Sequence, residues 1–175
     1  MAQPTVSTSF SLDAHLAIGQ VKPDLRSRAS VTDIVRISRT IDAPLRFVYG
    51  WCTDFREDDY RISGSKSRRR ILEKTGKRVI YTTREKGAKT VGAASIVTLH
   101  PPNAWHVDSI GDQRDTVGDY RLTRLPDGRT RLDIVFKVKR KSSAAPGRTE
   151  FLRHLNNSWD KYVATLEKDY ERQTE

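Results

Sequence analysis

The feature that most constrains this chain is residues 148–173, where Phe151, Leu152, Leu155, Trp159, Tyr162, Val163, Leu166 and Tyr170 recur in steps of three and four. Those steps place them on one stripe of a helix with 3.6 residues per turn. Pro146 and Gly147 punctuate the entry, and Glu150 puts a negative charge in the first turn, where the helix dipole favours it. At 1.5 Å per residue the helix is on the order of 39 Å long. No other helical pattern of similar length exists in the sequence. The aromatic stripe must therefore be covered by a sheet.

The rest of the chain supplies one. Residues 34–41 alternate, with Val35, Ile37 and Ile41 on one side and Arg36, Ser38 and Thr40 on the other, which predicts a strand. Asp42 is placed to cap the following helix and Pro44 to occupy its first position. Leu45, Val48, Tyr49 and Cys52 make that helix short and amphipathic, and a second short turn is expected near residues 55–59. Between residues 66 and 140 come six strand-like segments joined by short connections such as Thr75-Gly76, Glu85 to Ala88 and Pro126-Asp127-Gly128. In the last of them Leu132, Ile134, Phe136 and Val138 face one way, Asp133, Lys137 and Lys139 the other. Connections this short demand antiparallel neighbours, and a sheet of this width twists and coils. The expectation is an α+β fold: a curved antiparallel sheet wrapped around a long C-terminal helix, with two short helices after the first strand. Residues 1–30 show no sustained period and carry Pro4 and Pro23, which predicts a mobile N-terminal extension ahead of one domain at 31–175.

Composition narrows the function classes. Cys52 is the sole cysteine, so neither an intramolecular disulfide nor a cysteine zinc cluster can form. His15, His100, His106 and His154 have no metal-site spacing, and no metal or cofactor is expected. No signal-peptide pattern and no run of 18 apolar residues is present, so a soluble cytoplasmic protein without a transmembrane segment is expected. Thirty-two Lys and Arg against 22 Asp and Glu give a formal charge of +10, which admits a nucleic-acid or anionic-surface partner. A solvated basic surface explains the same charge.

The order of elements, with the segment Ile41-Asp42-Ala43-Pro44, the short helix after it and Asp54 near that helix's end, resembles the START/polyketide-cyclase superfamily with its helix-grip fold. The resemblance spans about residues 33–173. It implies a hydrophobic cavity between sheet and C-terminal helix that holds lipids, polyketides, sterols or similar molecules. Some members are carriers, others cyclases or dehydratases, and fold does not decide among them.

Alternation nominates the cavity lining. From the sheet come Tyr81, Val97, Trp105, Val107, Tyr120, Leu122, Ile134 and Phe136; from the helix come Leu155, Trp159, Tyr162 and Val163. The alternative is that these side chains fill a solid core. The resemblance favours a cavity, and buried Tyr and Trp each bring a polar atom that a ligand can satisfy. Catalytic residues are not assigned. His106 and Asp108 alternate with Trp105 and Val107 and so face solvent, while Tyr81, Tyr120 and Tyr162 are as well explained by packing. His154 sits beside the stripe, and no nucleotide loop, nucleophile elbow or HExxH motif exists. The basic runs Lys66–Arg70 and Lys137–Lys141 would make a phosphate-binding patch if they lay on neighbouring sheet surface. They lack interleaved aromatics, which ranks nucleic acid below a small ligand. The reading is a carrier or sensor of a small hydrophobic or amphipathic molecule, with a cyclase or dehydratase as the runner-up.

Overall fold

The computed structural model describes residues 32–86, 92–143 and 145–175. The expected N-terminal extension at residues 1–30 and the Gly87-Ala88 part of one expected turn lie outside the described residues. The element order is β1 (Thr32–Ile41), α1 (Leu45–Cys52), α2 (Tyr60–Ser63), β2 (Ser67–Lys74), β3 (Arg78–Glu85), β4 (Ala93–His100), β5 (Ala104–Gly111), β6 (Arg114–Arg124), β7 (Thr130–Arg140) and α3 (Arg148–Thr174). The strands form one antiparallel sheet in the order β1-β7-β6-β5-β4-β3-β2. The sheet and the long terminal helix are thus as expected.

Register sorts the concave face into rows. One row runs Val35, Phe136, Gly118, Val107, Val97 and Val79 across six strands. Beside it runs Ile37, Ile134, Tyr120, Trp105 and Leu99. On the other side the row is Val138, Thr116, Ser109, Ser95, Tyr81 and Ile71, and the row beyond it includes Arg140 and Arg114 at one end, Ala93, Thr83 and Arg69 at the other. The concave face therefore grades from apolar to polar along the strands.

The apolar end is closed. Ile41, Val48, Leu122, Leu132, Ile134 and Leu166 are all at most 1% exposed and pack in one core. Leu166 is the residue that anchors α3 there; the helix is also tied by Arg39 to Asp160 at 2.9 Å, by the Asp42 N–H to Glu167 at 2.8 Å and by the Trp51 indole to Asp169 at 3.0 Å.

Local details depart from expectation. Pro44 is the N-cap of α1 with extended backbone, Leu45 is its first helical residue, and Asp42 caps nothing. The cause is Thr130, whose buried hydroxyl donates to the Ala43 carbonyl at 2.8 Å and holds residues 42–43 against β7. The second short helix forms at Tyr60–Ser63 rather than 55–59, because Phe55 adopts a left-handed φ of 45°, which no right-handed helix tolerates. The basic runs are not on neighbouring strands: β2 and β7 are five strand steps apart in the sheet order. Within them Arg69 faces the concave side, while Arg140 and Lys141 lie near Asp33 and Asp115 at 3.5 and 2.6 Å.

Candidate functional site

Between the middle of the sheet and α3 lies a half-open cavity of about 350 Å³. It is roofed by the part of α3 between its buried contact at Leu166 and that of Phe151 with Phe136 in the first turn. Along that stretch it presents Leu155, Trp159 and Tyr162, all half-buried. Large aromatic rings prop the two layers apart where aliphatic residues would let them close.

The rings form a continuous belt. Trp105 and Tyr120, paired across β5 and β6, stack at 4.8 Å with only 13° between their planes. Trp159 approaches Tyr120 at 6.1 Å and Tyr162 at 5.6 Å. Trp51, from α1, meets Tyr162 edge-on at 6.3 Å. Tyr81, Val107 and Phe136 complete the sheet side. Eight of the residues nominated from sequence thus line one space. Of the remainder, Val97, Leu122 and Ile134 lie in the solid core, and Val163 packs against it. Alternation reports which face a side chain takes but not which strands border the open space: Val97 is level with Val107 and Ile134 with Tyr120, yet only Val107 and Tyr120 line it.

The polar lining was not nominated. Arg69 projects inward from the edge strand β2, its guanidinium 4.6 Å from the Tyr81 ring centroid and 5.3 Å from that of Phe55. Its Nη1 donates to Asp59 at 2.5 Å and to the Arg56 carbonyl at 2.9 Å, while its Nε is sealed from solvent without an acceptor. Arg69 hides in an arginine run whose register only the β2–β3 pairing sets, where it opposes Thr83. Asp59 and Phe55 belong to a loop without periodicity. The left-handed backbone at Phe55 costs about 1–2 kcal/mol and places its ring under Arg69 and 6.0 Å from Tyr81.

Burial governs the titratable groups. It pushes the Cys52 thiol up to about 12, with Asp59 adding to the effect. Burial also raises the phenols of Tyr120 and Tyr162, so both stay neutral hydrogen-bonding groups at ordinary pH. The Tyr81 and Tyr120 hydroxyls bond no protein group among the described residues and are free to meet a guest, whereas the Tyr162 hydroxyl has the Ser63 side chain and, at 3.5 Å, the Asp59 carbonyl as partners.

The other histidines stand outside. His106 lies on the convex face, between Asp119 at 2.6 Å and Asp108 at 3.2 Å, and His154 is exposed 3.9 Å from Glu150. Among the described residues no group of three His, Cys, Asp or Glu is placed to hold a metal ion. No helix among them is long and apolar enough to cross a membrane.

No family model matches the chain, and no curated protein matches its sequence. Solved structures do. The Zhui aromatase/cyclase from Streptomyces sp. R1128 superposes with a TM-score of 0.61 at 15% identity, over 83% of this chain and 97% of that one. A START superfamily protein from Mycobacterium smegmatis gives 0.56 at 15% identity, over 80% and 98%. Ara h 8.0201 gives 0.58 at 12% identity, over 81% and 99%. At these identities the likeness is one of architecture, and it agrees with the element order and topology: this chain has the helix-grip fold that these proteins share.

Proposed function

We propose that the domain at residues 31–175 binds a small hydrophobic or amphipathic molecule, as carrier or sensor, between the sheet and α3. The observation that carries this reading is the half-open space of about 350 Å³ walled by Tyr81, Trp105, Tyr120, Trp159 and Tyr162. A solid core would have closed over these rings; here their faces border open volume and two of their hydroxyls lack protein partners among the described residues. Ligand sites are typically concave, apolar and aromatic, with a few converging polar groups. The driving force is desolvation, about 25 cal/mol per Å² of apolar ligand surface, offset by the cost of ordering guest and walls. The neutral Tyr hydroxyls and the Arg69–Asp59 pair orient the guest's polar atoms.

Mass spectrometry of organic extracts from the purified protein, with titration of fluorescent apolar probes, tests the proposal. A co-purifying small molecule, or a probe that binds wild type and is lost in Trp159→Ala, is expected. Absence of any extracted species together with no probe binding refutes it.

A second reading, cyclase or dehydratase chemistry in the same space, is favoured by the convergence of Asp59, Arg69 and Tyr81 on one wall. A cation and a phenol there could polarise a carbonyl, and a carboxylate could take a proton. Turnover of a linear poly-β-ketone thioester analogue, abolished in Arg69→Gln with probe binding retained, would select it; no turnover by wild type, with tight probe binding, would select the carrier.

A further inference from the structure

Among the described residues Arg114 is a cation without a counter-ion, in a part of the molecule where its neighbours have one. It opens the inward-facing series Arg114, Thr116, Gly118 and Tyr120 of β6, six residues from the cavity floor. Directly across the β6–β7 ladder stands a second cation, Arg140. Arg140 lies 3.5 Å from Asp33, and Lys141 is taken by Asp115 at 2.6 Å. Arg114 bonds no carboxylate or carbonyl among the described residues. Its Nη1 is sealed from solvent without an acceptor, and burial lowers its proton affinity. The guanidinium lies instead 5.0 Å over the ring of Phe151, in the first turn of α3. Burying an unpaired guanidinium N–H is costly, and stacking on one ring offsets only part of it.

The position is continuous with the cavity. Phe151 meets Phe136 edge-on at 5.8 Å, and Phe136 meets Tyr120 edge-on at 5.7 Å, so an unbroken aromatic wall leads from the Trp105–Tyr120 stack to Arg114. Around Arg114 the surface turns polar: Ser67, Thr83, Ser109 and Thr116 border the same cleft, and Ser67 and Thr83 border the cavity as well. The carboxylates of Glu85 and Asp112 stand at this rim, both solvent-exposed. The N-terminus of α3, capped by no side chain at Gly147, adds the positive end of a helix dipole four residues from Phe151.

We infer that the cavity selects amphiphiles ending in a carboxylate, whose oxygens Arg114 receives while the apolar body lies along the aromatic wall. The inference rests on the ligand-binding reading above and adds the class of ligand. Six residues of strand set the length of the guest at about 20 Å from the Tyr120 ring to the acid group.

The test uses dansyl-undecanoic acid, whose aromatic head, chain and terminal acid span a comparable length, and its methyl ester, titrated by fluorescence into the full chain. Wild type should bind the acid about tenfold more tightly than the ester, the value of one charge-assisted pair. Arg114→Gln should remove that preference and leave ester affinity unchanged, which also shows the cavity to be folded. Arg121→Gln, which deletes the same charge from the convex face, should keep the preference. Equal binding of acid and ester by wild type overturns the anion site and leaves the cavity reading standing. An equal loss of preference in Arg121→Gln overturns it too, because net charge would then be the cause. Binding of neither probe overturns both.

Discussion

Gly118→Ala puts the propped-cavity argument to a quantitative test. Gly118 sits in the middle of β6, on the concave row between Phe136 and Val107. A Cβ built there would lie 2.9 Å from Phe136 Cε1 and 3.0 Å from Tyr120 Cε2. Backbone propensity favours the substitution, since alanine exceeds glycine by about 0.5–1 kcal/mol inside a strand. Packing opposes it: forcing one extra carbon under two rings costs typically 1–3 kcal/mol. Packing wins, and the net loss is about 1–2 kcal/mol, or roughly 5 °C in Tm for a domain of this size. The rings have only one direction in which to yield, into the cavity, so probe affinity should fall with stability. Urea denaturation and probe titration on the same samples measure both. Adding Phe136→Leu should return stability toward wild type, giving a coupling term between neighbours in a double-mutant cycle. A Gly118→Ala protein as stable as wild type, with undiminished probe binding, would refute the claim that these rings are held in place over a glycine gap.

Leu166→Ala should cost about 3 kcal/mol, as for a fully buried leucine, whereas Trp159→Ala should cost less than a core tryptophan because its ring already borders open volume; denaturant midpoints compare the two. His106 should make the fold less stable as pH rises. Burial opposes its charging, but the hydrogen bonds it donates to Asp119 and Asp108 outweigh that and raise its pKa. The native state therefore holds the proton more tightly than the unfolded one, so its contribution is complete below the free imidazole value of about 6.5 and disappears as pH climbs through the raised one. Unfolding measured across that range should show the decline, and His106→Asn should flatten it. At pH 8 Cys52, its thiol pushed up to about 12, should alkylate with iodoacetamide about a thousandfold more slowly than a free cysteine, and denaturation should abolish the protection.

Much of the fold is legible in the residues themselves. The stripe from Phe151 to Tyr170 has no helical partner to cover it, and short turns between alternating segments leave only an antiparallel sheet. These signals are local: a period, a turn residue and a connection length are each read within a dozen positions. The boundaries of the short helices are less legible because long-range contacts set them. Thr130 pins Ala43 from 87 residues away and shifts the start of α1, and the left-handed Phe55 moves the second helix beyond it.

The site divides the same way. Alternation identifies the inward side chains, and eight of them line the cavity. That Val97, Leu122 and Ile134 are instead core depends on where α3 touches the sheet, which no strand records. Arg69 and Arg114 are invisible in a chain with 32 basic residues, because nothing in an arginine's neighbours states whether its partner is a carboxylate, an aromatic ring or neither. The sequence by itself determined the architecture, since hydrophobic periodicity acts over a few residues. Only the tertiary structure decided where the layers separate and which charges face the gap, since the first is set by ties such as Arg39 to Asp160 between chain ends and the second by the pairing of strands.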